Sequence, residues 1–166
     1  NNCRRELIIK MIEQDQLPLY SSGFMNLDNQ YSTLGILGIF ETVEIMGFDN
    51  ISCDGKNFVI SILKFIDEIV KNKIKKYGYR CNVEQIPAEA TSPKLAKVDK
   101  ILYKQDKYKL YSNQFLPLTT ETDILNRIEL QELYERYFSG GTILHVNVAN
   151  RIKSKHVMKK LMGYVI

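Results

Sequence analysis

The chain has 166 residues, the size of one domain or of one piece of a larger one, with 45% hydrophobic and 25% charged residues. No run approaches the roughly 20 apolar residues that cross a bilayer, and the N-terminus lacks the apolar core of a signal peptide. We therefore expect a cytoplasmic protein with no membrane partner. The net charge of +4 is weak for a nucleic-acid binder, so we expect no nucleic-acid partner either.

Two amphipathic helices are predicted in the first half of the chain. Apolar residues at helical spacing indicate one near residues 4–15 and a longer one over about 56–77. Four lysines crowd the C-terminal end of the longer helix: Lys71, Lys73, Lys75 and Lys76. They could form a basic patch for a phosphate partner, but cations at a helix C-terminus also match the helix dipole, and we favour that interpretation.

The stretch between these helices is predicted to be a buried helix over 32–47, which ends at Gly47. Its residues 34–40 are apolar all round, so we expect it to be covered on every side. Gly35 and Gly38 lie inside it and weaken a helix by about 1 kcal/mol each relative to alanine. Such glycines allow close approach by another helix, which we favour, or by a loop or substrate.

Helices and strands alternate in the second half. We predict strands over 79–86 and 142–148, an extended stretch over 108–118, and helices over 122–138 and 153–164. This alternation favours an α/β architecture. Three widely spaced cysteines form no CxxC pair or zinc spacing, so we expect no metal site and reduced thiols: Cys3, Cys53 and Cys81.

A strand-turn-helix junction spans residues 83–100, "VEQIPAEATSPKLAKVDK". Ser92 can cap the helix, and Pro93 suits its first position. The free N–H groups of a helix start, the hydroxyls of Thr91 and Ser92, and the nearby Lys94 would suit an anion, typically phosphate. An ordinary capped helix without a ligand also explains Ser92 and Pro93, and physics alone favours that simpler interpretation.

Two carboxylates accompany this junction, Glu84 and Glu89. They would repel a phosphate unless they face elsewhere. Strand alternation sets Glu84 opposite to Val83 and Gln85. Glu84 could therefore face a cavity as a proton carrier or face solvent as a surface charge, and the sequence alone favours the surface.

Three stretches together carry a family resemblance: "QYSTLGILGIFETVE", "CNVEQIPAEATSPKLAKVDK" and "YSNQFLPLTTETDILNRIELQELYERYFSGGTILHVNV". In this order they resemble the C-terminal part of the catalytic barrel of anaerobic (class III) ribonucleoside-triphosphate reductases, which belong to the glycyl radical enzyme superfamily. The resemblance runs from about residue 17 to residue 148. The second and third stretches together are far more specific than any single short motif.

The resemblance implies an α/β fold that is part of a ten-stranded α/β barrel, with alternating helices and short buried strands. Residues 1–166 would form a single fragment of that barrel. The parent enzyme would reduce ribonucleoside triphosphates to deoxyribonucleotides through a glycyl radical and a thiyl radical. It would also carry a structural zinc, form a homodimer and require a radical-SAM activating enzyme.

The resemblance also implies the site residues. The segment 87–95 matches the part of the wider reductase family that binds substrate phosphates. The candidate phosphate-binding residues are Ala88, Glu89, Ala90, Thr91, Ser92 and Lys94. Glu84 matches a position near the substrate ribose, where a carboxylate could transfer a proton to the departing 2′ hydroxyl.

Some family features are not matched. We expect this chain to lack the finger-loop cysteine, the zinc segment and the glycyl radical loop, and Cys3 is a poor candidate for the first of these. Gly140 and Gly141 are interpreted as a turn between a helix and a strand. We therefore expect the chain to be inactive alone. The alternative is a stand-alone nucleotide-binding or regulatory module derived from the same barrel, which the flanking reading frame would distinguish.

Overall fold

The computed structural model describes residues 2–147 and 152–163. Within them, the helices are α1 (Asn2–Glu13), α2 (Pro18–Ser21), α3 (Ile39–Ile45), α4 (Cys53–Tyr77), α5 (Thr91–Tyr103), α6 (Ile124–Glu135) and α7 (Lys155–Gly163), with a short 3-10 turn at Leu27–Asn29. The strands are β1 (Ser32–Ile36) and β2 (Cys81–Gln85). In these two ranges, no helix combines the length and apolar character that crossing a membrane requires.

The two strands form a parallel ladder that runs from the pair Ser32–Cys81 to the pair Ile36–Gln85, and α3 and α4 form the crossover between them. On the other side of β2, the N–H of Gly140 donates to the carbonyl of Val83 at 2.8 Å, and the N–H of Gln85 donates to the carbonyl of Gly141 at 3.1 Å. The chain after α6 therefore pairs briefly with the second edge of β2, through a single parallel bridge between Gly141 and Glu84. The mixed α/β class is confirmed. Two strands among the described residues do not establish a ten-stranded barrel.

The predicted helix over 32–47 is wrong in its first half, which is strand β1, and α3 begins only at Ile39. A short apolar run fits a buried strand as well as a buried helix, and here pairing with β2 decides. A Cβ on Gly35 would lie 2.4 Å from the Ile86 side chain, so the close approach comes from a loop residue and not from a helix. Gly38 separates the two elements at φ +80°, a conformation that glycine adopts readily.

Other predictions agree with the structure. The helices expected near 4–15, 56–77 and 122–138 are present as α1, α4 and α6, and the strand expected over 79–86 is β2. The helix expected over 153–164 is α7, although residue 164 lies outside the described residues.

Two predicted extended stretches do not form strands. Residues 108–118 are irregular, and 142–147 make no ladder beyond the bridge of Gly141 to Glu84, while residue 148 lies outside the described part of the chain. The reason for the second difference lies in two glutamines. The N–H of Ile143 donates to Gln85 Oε1 at 2.8 Å, and the N–H of His145 donates to Gln114 Oε1 at 3.0 Å. Side-chain amides thus replace a neighbouring strand.

The hydrophobic core joins α4, β2 and α6 to the irregular segment that precedes α6. Its buried members are Val43, Val59, Leu63, Val70, Cys81, Val83, Phe115, Leu116, Leu130, Tyr134 and Phe138. The Phe115 ring packs edge-on against Tyr134 with centroids 4.9 Å apart, a favourable aromatic arrangement. Because Phe115 and Leu116 are anchored here, the residues just before them are held at a fixed place beside the sheet.

Candidate functional site

A cleft of ≈ 720 Å³ opens between the start of α5 and the segment 107–119. Its lining is formed by Pro87, Glu89, Ser92 and Pro93 on one side, by most of the segment 107–119 on the other, and by Phe40, Glu41 and His145. The predicted phosphate-binding junction therefore does border a cavity. Tyr108, Tyr111 and Leu118 give that cavity apolar surface, and Lys107 and Lys109 give it positive charge.

Ser92 does not cap α5, and Pro93 is not at its first position. The helix begins at Thr91, and the cap position belongs to Ala90, which makes no side-chain capping bond. Ser92 is 6% exposed. Its Oγ donates to the Tyr111 carbonyl and accepts from the Tyr111 N–H at 2.7 Å. The hydroxyl thus attaches the segment 107–119 to the start of α5. From the sequence, a different role was predicted for Ser92, as the cap of the helix.

The start of α3 holds the next residue of the same segment. The Ser112 N–H donates to Glu41 Oε1 at 2.8 Å, and the Gly38 N–H donates to the Ser112 carbonyl at 2.7 Å. All four backbone polar groups of Tyr111 and Ser112 are therefore bound by α5 on one side and by α3 on the other. This double attachment fixes the shape of the cleft wall without a regular strand.

The remaining predicted phosphate-binding residues lie at different places around the junction. Glu89 lines the cleft, whereas Thr91 and Lys94 are exposed on the first turn of α5. Ala88 has φ +49°, and its carbonyl accepts from the N–H groups of Thr91 at 3.0 Å and Ser92 at 2.8 Å. Two backbone donors of the helix start are thus already bound within the turn. Ala90 is exposed beside them.

Glu84 is not in the lining that the described residues form for this cleft. Its Oε1 accepts from Asn82 Nδ2 at 2.7 Å, and a Cβ on Gly140 would lie 2.2 Å from its Cγ. The side chain is therefore half-buried against the chain that follows α6, and it is not part of the cleft lining. The structure does not bring Glu84 together with Ser92.

Glu41 is the cleft residue that the sequence prediction missed. It lies in the first turn of α3 and is 4% exposed. Oε1 binds Ser112, but the equally buried Oε2 has no hydrogen-bond partner among the described residues. Burial raises the pKa of this carboxyl, and the backbone N–H bonds that favour its charged form offset only part of that effect. The sequence signal that could have identified Glu41 is its position as a charged residue directly after the apolar run 34–40.

The rim of the cleft is held by charged and phenolic side chains. Lys107 Nζ lies 2.8 Å from Glu44 Oε2, which also accepts from the Tyr108 hydroxyl at 2.5 Å. These two hydrogen bonds lower the pKa of Glu44, and the bond to Glu44 raises the pKa of Lys107. The Tyr111 hydroxyl donates to Asp99 Oδ2 at 2.5 Å. These surface contacts attach the segment 107–119 to α3 through Glu44 and to α5 through Asp99.

The described residues contain no group of three or more His, Cys, Asp or Glu side chains suited to a metal ion. Cys3 and Cys53 are exposed and Cys81 is buried in the core. Gly140 and Gly141 form the turn from α6 into the sheet, as the sequence predicted.

The class of protein follows from comparison with known families and structures. A family model described as anaerobic ribonucleoside-triphosphate reductase matches residues 1–166. A solved anaerobic ribonucleotide reductase aligns with a TM-score of 0.91 and 34% identity, covering 97% of this chain and 26% of its own. A search of curated proteins found no match.

Two structures of the Thermotoga maritima anaerobic ribonucleotide reductase are also similar. One, with MES in the active site, has a TM-score of 0.90, and the other, in complex with dATP and CTP, has 0.86; both are 34% identical and cover 97% of this chain and 28% of their own. The chain belongs to the anaerobic ribonucleoside-triphosphate reductase family. It spans between a quarter and a third of the length of these solved relatives.

Proposed function

We propose that this chain is part of the catalytic barrel of an anaerobic reductase that converts ribonucleoside triphosphates to deoxyribonucleotides. The observation that carries the proposal is the family match over residues 1–166, together with a fold shared at a TM-score of 0.91. The remaining strands of a ten-stranded barrel would come from other parts of the parent enzyme. The chain alone would then supply one wall and would not catalyse turnover.

Within this part, the cleft between α5 and the segment 107–119 is our proposed site for the substrate phosphates. Three features support it: α5 is 13 residues long with its N-terminus at the cleft, Lys109 lines the opposite wall, and Lys94 is exposed on the first turn. A helix N-terminus favours anions through its dipole. Because the N–H groups of Thr91 and Ser92 are bound by the Ala88 carbonyl, the support from α5 comes from its dipole and from side chains of its first turn. Glu89 also lines the cleft and would repel phosphate, so we place the phosphates at the edge of the cleft beside the first turn of α5, where Thr91 and Lys94 are exposed.

Other roles of the parent enzyme are proposals of the same kind. The family resemblance implies a glycyl radical and a structural zinc for the parent enzyme, and Gly140 and Gly141 lie in the turn that follows α6. A homodimer, a radical-SAM activating enzyme and a cytoplasmic location follow from the family. Glu84 as a proton carrier stays a prediction, and it would act from the face that Asn82 and Gly140 share.

Binding of CTP to the purified chain, measured by isothermal titration calorimetry, tests the phosphate site. We expect Lys94→Gln to weaken CTP about 2- to 10-fold, the worth of one exposed charge-assisted contact. Lys97→Gln is the matched control, because Lys97 is exposed on the same helix one turn further on. It should change the affinity less than twofold.

Cytidine provides the second control, since it lacks phosphates and its affinity should be the same in all three proteins. If Lys94→Gln and Lys97→Gln weaken CTP equally, the lysines act only through general charge and the proposed phosphate position is wrong. Deoxynucleotide formation by the isolated chain would show that it is not merely one wall of the barrel.

A further inference from the structure

We propose that Glu41 is a substrate-binding residue whose Oε2 makes a hydrogen bond with a ribose hydroxyl of the nucleotide in the cleft. This assignment rests on the proposed function, because it takes the occupant to be a nucleotide. It adds a sugar-binding group to the phosphate site, at a residue for which the family resemblance implied no role.

The geometry leaves Oε2 as an unused polar atom at the cleft. Oε1 is bound by the Ser112 N–H at 2.8 Å, which fixes the carboxyl group in the first turn of α3. Oε2 is buried without a partner among the described residues, although Glu41 belongs to the cleft lining. A buried polar atom without a partner lowers stability by about 1–3 kcal/mol, so its presence calls for an explanation, and a ligand in the cleft would supply the missing partner.

The position of Glu41 relative to α5 suits one nucleotide. Ser92 Oγ lies 2.7 Å from the Tyr111 nitrogen, and Glu41 Oε1 lies 2.8 Å from the nitrogen of the next residue, Ser112. Adjacent backbone nitrogens are no farther apart than about 4 Å, so the hydroxyl of Ser92 and the carboxyl of Glu41 lie within about 10 Å of each other. A nucleotide with its phosphates at the start of α5 can therefore present its sugar to α3.

The chemical state of Glu41 also suits a hydroxyl partner. Burial favours the neutral carboxylic acid, and the nearby Glu44 favours it further. In either state Oε1 can accept from the Ser112 N–H, while Oε2 can accept from a ribose hydroxyl when the carboxyl is charged or donate to one when it is protonated. The charged groups that share the cleft are Glu89, Lys107 and Lys109, and Lys107 is already paired with Glu44 at 2.8 Å.

A purely structural role is the competing explanation, since Glu41 Oε1 accepts a hydrogen bond from the Ser112 N–H. The two roles are separated by a thermodynamic cycle that removes the side-chain group and the ligand group in turn. The ligands are CTP, 2′-deoxy-CTP and 3′-deoxy-CTP. The proteins are the wild-type chain, Glu41→Gln and Glu41→Leu, with their folded state checked by circular dichroism.

We expect the wild-type chain to bind one of the two deoxy ligands about 3- to 10-fold more weakly than CTP, which is the worth of one hydrogen bond. Glu41→Gln retains an acceptor for Ser112 and a donor for the ligand, so it should keep that discrimination. In Glu41→Leu the discrimination should fall below twofold. A structural role alone would lower all three affinities of this variant by the same factor.

Two outcomes overturn the inference. One leaves the proposed nucleotide site intact, and the other refutes that site as well. If CTP binds but Glu41→Leu discriminates between the ligands as the wild type does, Glu41 is not the sugar-binding group, while the proposed function stands. If the folded wild-type chain binds no CTP, the proposed nucleotide site is wrong and the inference falls with it. If Glu41→Leu does not fold, the same comparison is made with Glu41→Met, and unchanged discrimination there also overturns it.

Discussion

The attachment of the cleft wall to α5 predicts that Ser92→Ala destabilises the chain. The substitution removes two hydrogen bonds, from Ser92 Oγ to the Tyr111 carbonyl and from the Tyr111 N–H to Ser92 Oγ. At about 0.5–1.5 kcal/mol for each bond, the free energy of unfolding should fall by about 1–3 kcal/mol. For a chain of this size, that corresponds to a Tm lower by roughly 2–12 °C.

Thermal unfolding followed by circular dichroism measures this change, and Thr91→Ala is the matched control. Thr91 precedes Ser92 in the same turn but is exposed, so its removal should alter stability by no more than about 0.5 kcal/mol. If Ser92→Ala leaves the Tm unchanged and abolishes CTP binding, the hydroxyl is a phosphate ligand and the reasoning from the Tyr111 contacts is refuted.

Two further predictions concern the sheet and the buried carboxyl. Gly140→Ala should destabilise the chain by about 1–3 kcal/mol in urea unfolding, because its Cβ would lie 2.2 Å from Glu84 Cγ. The control Gly163→Ala has open space around its Cβ and should leave the stability unchanged. Equal effects of the two substitutions would contradict the packing of Gly140 against Glu84. Burial raises the folded-state pKa of Glu41 above its ordinary value, so the contribution of this group to stability should be fully present below the ordinary glutamate pKa and should be lost as the pH rises through the folded-state pKa. In thermal unfolding measured across this pH range, Glu41→Gln should lack that part of the decline, and parallel pH profiles for the two proteins would show that the group does not titrate as its burial implies.

Several elements could be predicted from local patterns. The apolar stripe of α4 predicted that helix, and the stretch around Val83 was predicted as the strand that is β2. The amphipathic pattern of α6 and the turn at Gly140 and Gly141 were also predicted. These predictions succeeded because the helical period, strand composition and turn residues are local properties.

The errors occurred where a distant partner decided the structure. Residues 32–36 form a strand because β2 lies beside them, and 142–147 form no ladder because the glutamines Gln85 and Gln114 bind their N–H groups. Ser92 was assigned to capping because its partner, Tyr111, is 19 residues away. None of these contacts leaves a periodic signal in the sequence.

The sequence by itself determined the family, the α/β class and the location of a polar junction at the start of α5. The tertiary structure decided which groups share the cleft: it brought Ser92 and Glu89 to the lining, added Glu41 from α3, and placed Glu84 against Gly140 instead. The physical reason is that a motif records which residue types occur together along the chain. Which side chains meet depends on the register of β1 with β2 and on the two helix starts that bind Tyr111 and Ser112.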